Sequence, residues 1–302
     1  MKAALLARVL TGVLALSAAP AAADMRVTDD AGRTLVLKQP ARRIISLAPH
    51  MTEMLFAAGA GTKVVGTIEF SNYPEAAKAI PRVGDSASLD LERIVALQPD
   101  LILVWQHGNG QRQLDKLLSL GIPVYYNQPN RLGDIARSIE QLGRLTGTEA
   151  VATAAARTFV LRESQLRKHY SGRAPIRVFY QIWDRPLMTV NGEHLISDVI
   201  KLCGGENVMR DLKQLVPVIS TEVVLDADPE VIAGATSEPN MRDNLDNWKA
   251  WPRLLAVKRA NLYVVHTDLI SRHTPRILDG AQTMCEQLDS ARAKRPKQSD
   301  PK

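Results

Sequence analysis

The sequence is poor in aromatic residues, in cysteines and in long apolar segments. Only 5% of its 302 residues are aromatic, and it contains two cysteines. Its apolar stretch from Val9 runs for about 15 residues, short of the roughly 20 that span a bilayer. The sequence also lacks a G-x-S-x-G elbow, a P-loop, an H-E-x-x-H motif and a G-x-G-x-x-G turn after a strand. These absences argue against a membrane-spanning protein and against the commonest hydrolases, zinc proteases and nucleotide-binding enzymes.

The positive charge of the chain is concentrated at its two ends. The formal net charge is +6 at pH 7. Lys2 and Arg8 precede the first acidic residue, and five bases lie between Arg292 and Lys302. The chain between these ends is close to neutral, and it has no zinc-finger spacing or helix-turn-helix signal. We therefore expect no nucleic-acid binding.

The N-terminus has the three parts of a secretory signal peptide. Lys2 precedes an apolar run over residues 3–19, and an alanine-rich exit site ends at Ala23. We predict a signal peptide over residues 1–23, cleaved after Ala23, and an exported mature protein. Cys203 and Cys285 are expected to pair, because two lone cysteines in an exported protein usually form a disulfide.

Short apolar runs and amphipathic segments alternate from residue 43 onward. The runs predict strands over residues 43–48, 63–67, 100–105 and 122–126, and the amphipathic segments predict helices over 52–58, 89–97, 111–120 and 135–145. Before them, residues 25–37 alternate around a turn and predict a hairpin. This βαβ series predicts a parallel sheet with helices on both faces.

A second series follows a segment, residues 149–170, that contains neither glycine nor proline. Its 22 residues predict a helix roughly 33 Å long. The later patterns predict strands over 177–183, 230–235 and 262–266 and helices over 195–202 and 276–288. The predicted fold is α/β: two Rossmann-like lobes with parallel sheets, joined by a single long helix. The predicted divisions are 24–148 and 171–290 for the lobes, 149–170 for the linker helix and 291–302 for a disordered basic tail.

The two series contain a similar segment. Glu92 precedes Pro99 by seven residues, Glu222 precedes Pro229 by seven, and in both copies an acidic residue then opens an apolar strand. Against the background of two matching lobes, we favour an internal duplication over chance. Glu92 and Glu222 would then begin equivalent helices.

Three histidines lie where predicted strands give way to loops. His50, His107 and His273 could hold zinc together with one carboxylate. They are far apart in sequence and have no paired spacing, so we favour the alternative that they are solvated or hydrogen-bonded, and predict no metal site.

Aromatic residues gather at the same predicted edge of the sheets. Phe70 and Trp105 follow or end strands of the first lobe, and Tyr180 lies at the end of the first strand of the second lobe. Packing at a strand end is the alternative for each of them and is favoured for Tyr180. Together they indicate an apolar cleft for a large or flat ligand. Asp268 and Arg272, after the last strand, could supply polar contacts or form a surface salt bridge.

At these residues the chain resembles the cobalamin-binding proteins of bacterial ABC importers, within a wider class that binds siderophores and haem. The similarity covers roughly residues 41–289. Its carriers are Ile45-Ser-Leu-Ala-Pro49, Thr52-Glu53, Phe56-Ala-Ala-Gly59, Tyr73-Pro74, Leu91-Glu-Arg-Ile-Val-Ala-Leu-Gln-Pro-Asp100, Trp105-Gln-His-Gly-Asn109, Arg112-Gln113, Leu202-Cys-Gly-Gly-Glu-Asn207, Asp268 with Arg272, and Pro275-Arg-Ile277.

The resemblance implies a class III periplasmic binding protein architecture with the ligand held between two lobes. It implies that four residues contact cobalamin and that two carboxylates dock on arginines of the transmembrane subunits. The ligand-contact positions are Phe70, Trp105, Asp268 and Arg272, the docking positions are Glu92 and Glu222, and Cys203 and Cys285 stand where the class has its disulfide. No cofactor is implied beyond the transported cobalamin, and we expect a periplasmic monomer.

The chain departs from the cobalamin binders at three positions. Ser86 and Val216 stand where those proteins have tryptophans, and Phe70 replaces a tyrosine. The first alternative is therefore a ferric-siderophore or haem-binding protein of an ABC importer, in which Arg272 and Arg276 could bind carboxylates or catecholates. Outside the class, the alternative is an exported α/β hydrolase, for which the sequence offers no ordered nucleophile and base.

Overall fold

The computed structural model describes residues 24–106, 108, 110–237 and 243–296. The predicted signal peptide, His107 and the last six residues of the predicted tail lie outside the described residues. Within the described part of the chain, no helix is long and apolar enough to cross a membrane.

The first lobe consists of a hairpin and a parallel four-stranded sheet. Its strands are β1 (Met25–Thr28), β2 (Thr34–Leu37), β3 (Ile44–Ser46), β4 (Val64–Thr67), β5 (Leu101–Trp105) and β6 (Val124–Asn127). Its helices are α1 (Pro49–Ala57), α2 (Leu91–Ala96), α3 (Gln111–Ser119) and α4 (Leu132–Thr146), with 3₁₀ turns at Gly61–Lys63 and Glu75–Ala79. β1 and β2 pair antiparallel, and the other four strands are parallel in the order β4-β3-β5-β6.

The central strands of this sheet are buried on both faces. Residues 101–104 of β5 are fully buried, as are Ile44 and Ile45 of β3. A parallel sheet takes such continuous apolar runs because its crossover helices cover both faces. Helix α3 ends at Ser119 and is followed by Gly121, whose φ of +69° is readily adopted only by glycine.

One helix, α5 (Glu149–Tyr170), runs from the first lobe to the second and has the predicted bounds. It buries small and aromatic side chains on one side, Ala152, Ala156 and Phe159. Gly143 of α4 lies so close to α5 that an added Cβ would come within 2.3 Å of the Ala152 Cβ. The helix is therefore packed along α4 over its first turns and is not a free-standing spacer.

The second lobe repeats the parallel sheet. Its strands are β7 (Ile176–Gln181), β8 (Trp183–Asp184), β9 (Leu187–Met188), β10 (Gly205–Asn207), β11 (Val231–Thr236) and β12 (Leu262–His266). Its helices are α6 (Leu195–Leu202), α7 (Thr221–Ala227), α8 (Asp243–Asp246), α9 (Leu255–Lys258), α10 (Thr267–Ile270) and α11 (Ile277–Ala293), with a 3₁₀ turn at Asn247–Ala250. β8 and β9 form a short hairpin, and the parallel order is β10-β7-β11-β12.

The two parallel sheets have the same strand order when the strands of each sheet are numbered by themselves. In each sheet the second strand lies at one edge, followed by the first, the third and the fourth. Helices α2 and α7, which carry the similar sequence segment, both lead into the third strand. This equivalence supports the predicted duplication. The short elements β8, β9, β10, α8, α9 and α10 were not predicted, because segments of two to four residues carry no measurable periodicity.

A single apolar core runs through both lobes. It contains buried residues of the first sheet, of α4 and α5, and of α6, the second sheet and α11, from Val27 to Ala291. Smaller cores cover the outer face of each sheet. Hydrogen bonds also cross between the lobes, as from the Leu132 backbone N–H to the Asp198 carboxylate at 2.9 Å. The lobes are therefore joined by packing as well as by α5.

Cys203 and Cys285 form the predicted disulfide, which links the end of α6 to α11. Both cysteines are fully buried. The bond ties two helices of the second lobe across 82 positions of sequence.

The predicted tail begins too early, because α11 continues to Ala293, three residues past the predicted boundary. Arg292 donates to the backbone carbonyls of Ala174 and Cys203, and Arg295 pairs with Glu230 at 2.7 Å. These partners hold the first basic residues of the predicted tail against the second lobe.

Candidate functional site

A pocket lies where the carboxyl ends of strands from both lobes approach each other. Ligands of open α/β sheets bind outside this edge. The pocket encloses about 310 Å³. Trp105 and Gln128 line it from the first lobe, at the ends of β5 and β6. The second lobe contributes Tyr180, Ile182, His194, Ile196, Leu215, Val216, Ala235, Ser271 and His273.

Trp105 is surrounded by histidines at the base of this pocket. Its ring centroid lies 5.4 Å from that of His50 and 5.9 Å from that of His273, both with edge-to-face geometry. His194 extends the group, with its centroid 6.2 Å from that of His273. The indole is thus held by aromatic edges on its buried side, and its remaining surface faces the pocket.

These histidines are neutral at ordinary pH because they are buried. Burial lowers the pKa of His50 and that of His194 to about 4. It also lowers the pKa of His273 well below its usual value, and the neighbouring His50 and His194 act in the same direction. The pocket therefore has no formally charged side chain among its described lining residues.

The polar atoms at the pocket that lack a hydrogen-bond partner among the described residues include the amide oxygen of Gln128, the hydroxyl of Tyr180 and the Nδ1 atom of His273. All three side chains are at least nine-tenths buried. Buried polar atoms are nearly always paired in folded proteins, so unpaired ones at a pocket indicate where a ligand makes hydrogen bonds.

The three predicted polar and rim residues lie together at a second place on the lobe junction. Arg272 pairs with Asp268 at 2.9 Å, and it donates to the Asn72 side chain at 2.8 Å and to the Phe70 carbonyl at 3.2 Å. The Phe70 side chain itself is 75% exposed, on a backbone with a φ of +64°. Arg272 thus connects the lobes and holds the loop that presents this phenyl ring.

A buried ion pair crosses the junction beside this group. Arg276, at the start of α11, donates to both oxygens of Glu53 in α1 at 2.7 Å. Its guanidinium also stacks on the Tyr73 ring, 3.7 Å from the centroid. The hydrogen bonds to Glu53 raise the pKa of Arg276. Both Arg272 and Arg276 are therefore already bonded to protein groups.

Glu92 and Glu222 lie in the first turns of α2 and α7 and are exposed. Asp90 is the N-cap of α2 and accepts from the Arg93 N–H at 2.9 Å, so Glu92 is not needed for that role. A hydrogen bond from Ser220 lowers the pKa of Glu222. Exposed valines accompany both carboxylates, Val95 on α2 and Val223 on α7.

The structure thus brings together some of the predicted site residues and separates others. Trp105 lines the pocket, whereas Phe70, Asp268 and Arg272 form the neighbouring junction group and are not among its lining residues. Of the two positions at which the resembled proteins have a tryptophan, Val216 lines the pocket and Ser86 is exposed elsewhere.

The structure brings together two of the three histidines that were considered as zinc ligands. Among the described residues, no group of three histidines, cysteines or acids is placed to hold a metal ion. His50 and His273 are neighbours, with centroids 5.5 Å apart. His107 lies outside the described residues.

Sequence reasoning missed Gln128 and His194. Gln128 directly follows β6, and Trp105 is the last residue of β5. The position of Gln128 at the end of a strand was the sequence signal that could have identified it as a pocket residue. His194 had none, since it caps α6 through its own side chain, which accepts from the Ile196 N–H.

Residues 44–269 match the periplasmic binding protein family, and the chain belongs to this family. A vitamin B12-binding protein of Vibrio parahaemolyticus is 38% identical over 258 residues, which are 85% of this chain and 93% of that protein. Members of this class bind and deliver ligands rather than catalyse reactions, so the hydrolase alternative is wrong.

Solved structures agree on the architecture. A periplasmic vitamin B12 binding protein of Vibrio cholerae has a TM-score of 0.76 at 38% identity, covering 84% of this chain and 98% of that one. A periplasmic heme-binding protein from Roseiflexus sp. RS-1 has a TM-score of 0.72 at 22% identity, covering 83% of this chain and 99% of that one. The second likeness shows the fold alone.

Proposed function

We propose that this protein captures a corrinoid, such as cobalamin, in the periplasm and delivers it to an ABC importer. The observation that carries this proposal is the uncharged pocket at the lobe junction, with Trp105 at its base and unpaired polar atoms on its wall. The relatives named as vitamin B12-binding proteins support it, because they match over most of the chain.

The chemistry of the pocket favours a corrinoid over the two anionic alternatives. A corrin ring carries neutral carboxamide groups, which a neutral amide or imidazole can hydrogen-bond without a counter-charge. Haem carries carboxylates, and catecholate siderophores are anionic, so both call for cationic partners. Arg272 and Arg276 were the candidates for that role, and both are bonded to Asp268 and Glu53.

Val216 reduces the aromatic surface that the pocket offers to a ligand. It lines the pocket at a position where the resembled proteins have a tryptophan. With a small aliphatic side chain there, aromatic contact in the pocket rests on Trp105 and the histidines. Phe70, largely exposed at the junction, is placed to cover a ligand that extends beyond the pocket.

The test is a titration of the mature protein with cyanocobalamin, hemin and a set of ferric siderophores. Equilibrium dialysis should show one corrinoid bound per chain, while tryptophan fluorescence decreases in step. Hemin and siderophores should neither bind with comparable affinity nor displace the corrinoid. Tight binding of hemin or of a siderophore, without corrinoid binding, would replace this proposal with the corresponding alternative.

Delivery is proposed to use Glu92 and Glu222. Each is exposed on a short helix that leads into the third strand of the parallel sheet of its lobe, and each has an exposed valine beside it. Such a pair suits a membrane partner made of two related subunits, one facing each lobe. We also propose export with cleavage after Ala23, and function as a monomer.

A further inference from the structure

A groove runs along one side of α7, away from the junction pocket. It consists of two adjoining pockets of about 380 Å³ and about 460 Å³, which share Ala250 and Trp251 as lining residues. Thr221, at the start of α7, lines the first pocket, and Leu225, one turn later, lines the second. These two pockets, here named the α7 groove, therefore lie beside the helix that carries Glu222.

The other wall of the α7 groove is apolar and held in place by packing. Trp251, Pro252 and Leu254 line the second pocket. The Trp251 ring packs on the ring of the buried Trp248, with centroids 5.5 Å apart, and Trp248 donates to the Gln181 side chain at 2.7 Å. A wall that is ordered beforehand loses little conformational entropy on binding, and tryptophan is enriched among the residues that dominate interface affinity. The groove thus suits an apolar side chain.

The first lobe has a pocket at the equivalent place, with different chemistry. It lies between α2 and α3, just as the α7 groove lies between α7 and the segment after the third strand of the second parallel sheet. Arg112, Gln113 and Lys116 line it, together with Leu89 and Leu91. The repeated architecture therefore leaves a gap at this place in both lobes, whereas the tryptophan wall belongs to the second lobe. The fold alone does not account for that wall.

The charges around the α7 groove indicate the chemistry of its partner. Glu222 and Asp226 are exposed one turn apart, on the stripe of α7 that adjoins the groove. Inside the groove, each pocket is lined by one acid and one arginine, which are Asp184 with Arg185 and Asp228 with Arg253. The two acids on the helix attract a cation, whereas the balanced charges of the groove favour a neutral occupant.

We propose that the α7 groove receives an apolar side chain from a transmembrane subunit of the importer, against Trp251, while a basic residue of the same segment pairs with Glu222. This inference rests on the proposed function, because it enlarges the surface through which the protein docks. The groove is continuous with that surface, since α7 forms part of both. The subunit that faces the second lobe is then held by an apolar contact in addition to an ion pair.

The first experiment identifies the occupant by photo-crosslinking in the bacterium that produces the protein. Lys249 is exposed at the rim of the groove, directly before Ala250, and p-benzoylphenylalanine replaces it in the exported chain. Mass spectrometry of the adduct should identify a transmembrane subunit of an ABC importer. The same probe in place of Lys168, which is exposed on α5, is the matched control and should give no such adduct. An adduct only with a second copy of this chain, or none with an importer subunit, would overturn the proposal.

The second experiment fills the groove without removing a core side chain. Ala250 is exposed and lines both pockets, so Ala250→Tyr occupies the space that the importer side chain needs. It should lower the yield of the adduct at position 249 and the rate of cobalamin uptake by about tenfold or more. Cobalamin affinity should change by less than about twofold, because Ala250 does not line the junction pocket. Ala154→Tyr adds the same side chain at an exposed position of α5 and should leave adduct yield and uptake unchanged.

The failure of this inference is distinguishable from the failure of the proposed function. If Ala250→Tyr leaves adduct yield and uptake normal while Glu222→Lys blocks them, the groove has no role in docking and the docking carboxylate keeps its own. If neither variant affects them, both docking proposals fail. If the wild-type protein binds no corrinoid, the proposed function fails, and the adduct at position 249 and its loss in Ala250→Tyr still test the groove.

Discussion

We expect Trp105 to contribute more to ligand affinity than the other described lining residues of the junction pocket. Among the described lining residues of the junction pocket it is the one tryptophan, and the rings of His50 and His273 pack edge-to-face against it. Trp105→Ala should weaken cobalamin binding by about 1 to 3 kcal/mol, because a large apolar contact is lost.

Trp183→Ala is the control for this measurement, since Trp183 is 57% exposed and lies outside the pocket lining. Isothermal titration calorimetry of both variants measures their cobalamin affinities. Equal affinities for the two alanine variants, with intact folds, would mean that the binding site lies elsewhere.

His50 should make folding stability depend on pH in the mildly acidic range. Its pKa falls from 6.5 in the unfolded chain to about 4 in the folded protein, because burial disfavours the charged ring. Between these values the unfolded state binds more protons, so stability decreases as the pH falls from 6.5 toward 4. The contribution of His50 is on the order of 3 kcal/mol.

Urea unfolding at several pH values measures this dependence. His50→Gln should reduce the slope, and His194, whose pKa is lowered to a similar value, should account for part of what remains. A wild-type stability that stays constant from pH 7 to pH 4 would contradict the assignment.

At the scale of secondary-structure elements, an ion pair between α1 and the start of α11 links the two lobes. The Glu53–Arg276 pair is bidentate, and Glu53 is 3% exposed. Glu53→Gln should lower the free energy of unfolding by about 3 kcal/mol, because it leaves a partly buried guanidinium without its counter-charge.

Arg162→Gln is the comparison, since the Arg162–Asp279 pair also reaches α11 but is about 40% exposed on each side. It should cost less than about 1 kcal/mol. Denaturation curves of the two variants at neutral pH test the contrast, and equal losses would mean that burial does not decide the strength of these pairs.

The periodicity of the chain was sufficient to predict most of these elements but not their contacts. The segment without glycine or proline correctly predicted the bounds of α5, and the apolar run that ends at Trp105 correctly predicted β5. Arg272 was predicted as a ligand contact, and Arg276 only in the siderophore or haem alternative. Their bonds to Asn72 and Glu53 of the other lobe were not predicted. Such bonds depend on how the lobes are oriented, which no local pattern encodes. His194 was missed for the same reason, whereas the position of Gln128 directly after β6 was a local signal that could have identified it.

At the scale of the whole molecule, we expect little lobe closure when the ligand binds. The apolar core continues from one lobe into the other, and α5 packs along α4 where it leaves the first lobe. A hinge of a few extended residues bends easily, whereas a packed helix does not. Small-angle scattering with and without cobalamin should give nearly the same radius of gyration, and a clear decrease would refute the expectation.

Docking is the second property of the whole molecule. Reversing Glu92 and Glu222 to Lys should abolish uptake and binding to the importer while leaving cobalamin affinity unchanged, because both carboxylates are exposed and neither lines the pocket. Reversing Glu75, an exposed acid of the first lobe outside these helices, is the control. Normal transport by the doubly reversed protein would contradict the docking role and leave both carboxylates only the role of stabilising the N-terminal ends of their helices.

The continuous core has a consequence for how loaded and empty copies of the protein would bind to an importer. A carrier that hardly changes shape presents nearly the same docking face whether it is loaded or empty. Empty copies then compete with loaded ones for each importer. Where such a carrier outnumbers its ligand, making more of it would slow uptake, so the cell gains most from a copy number matched to the supply of the ligand.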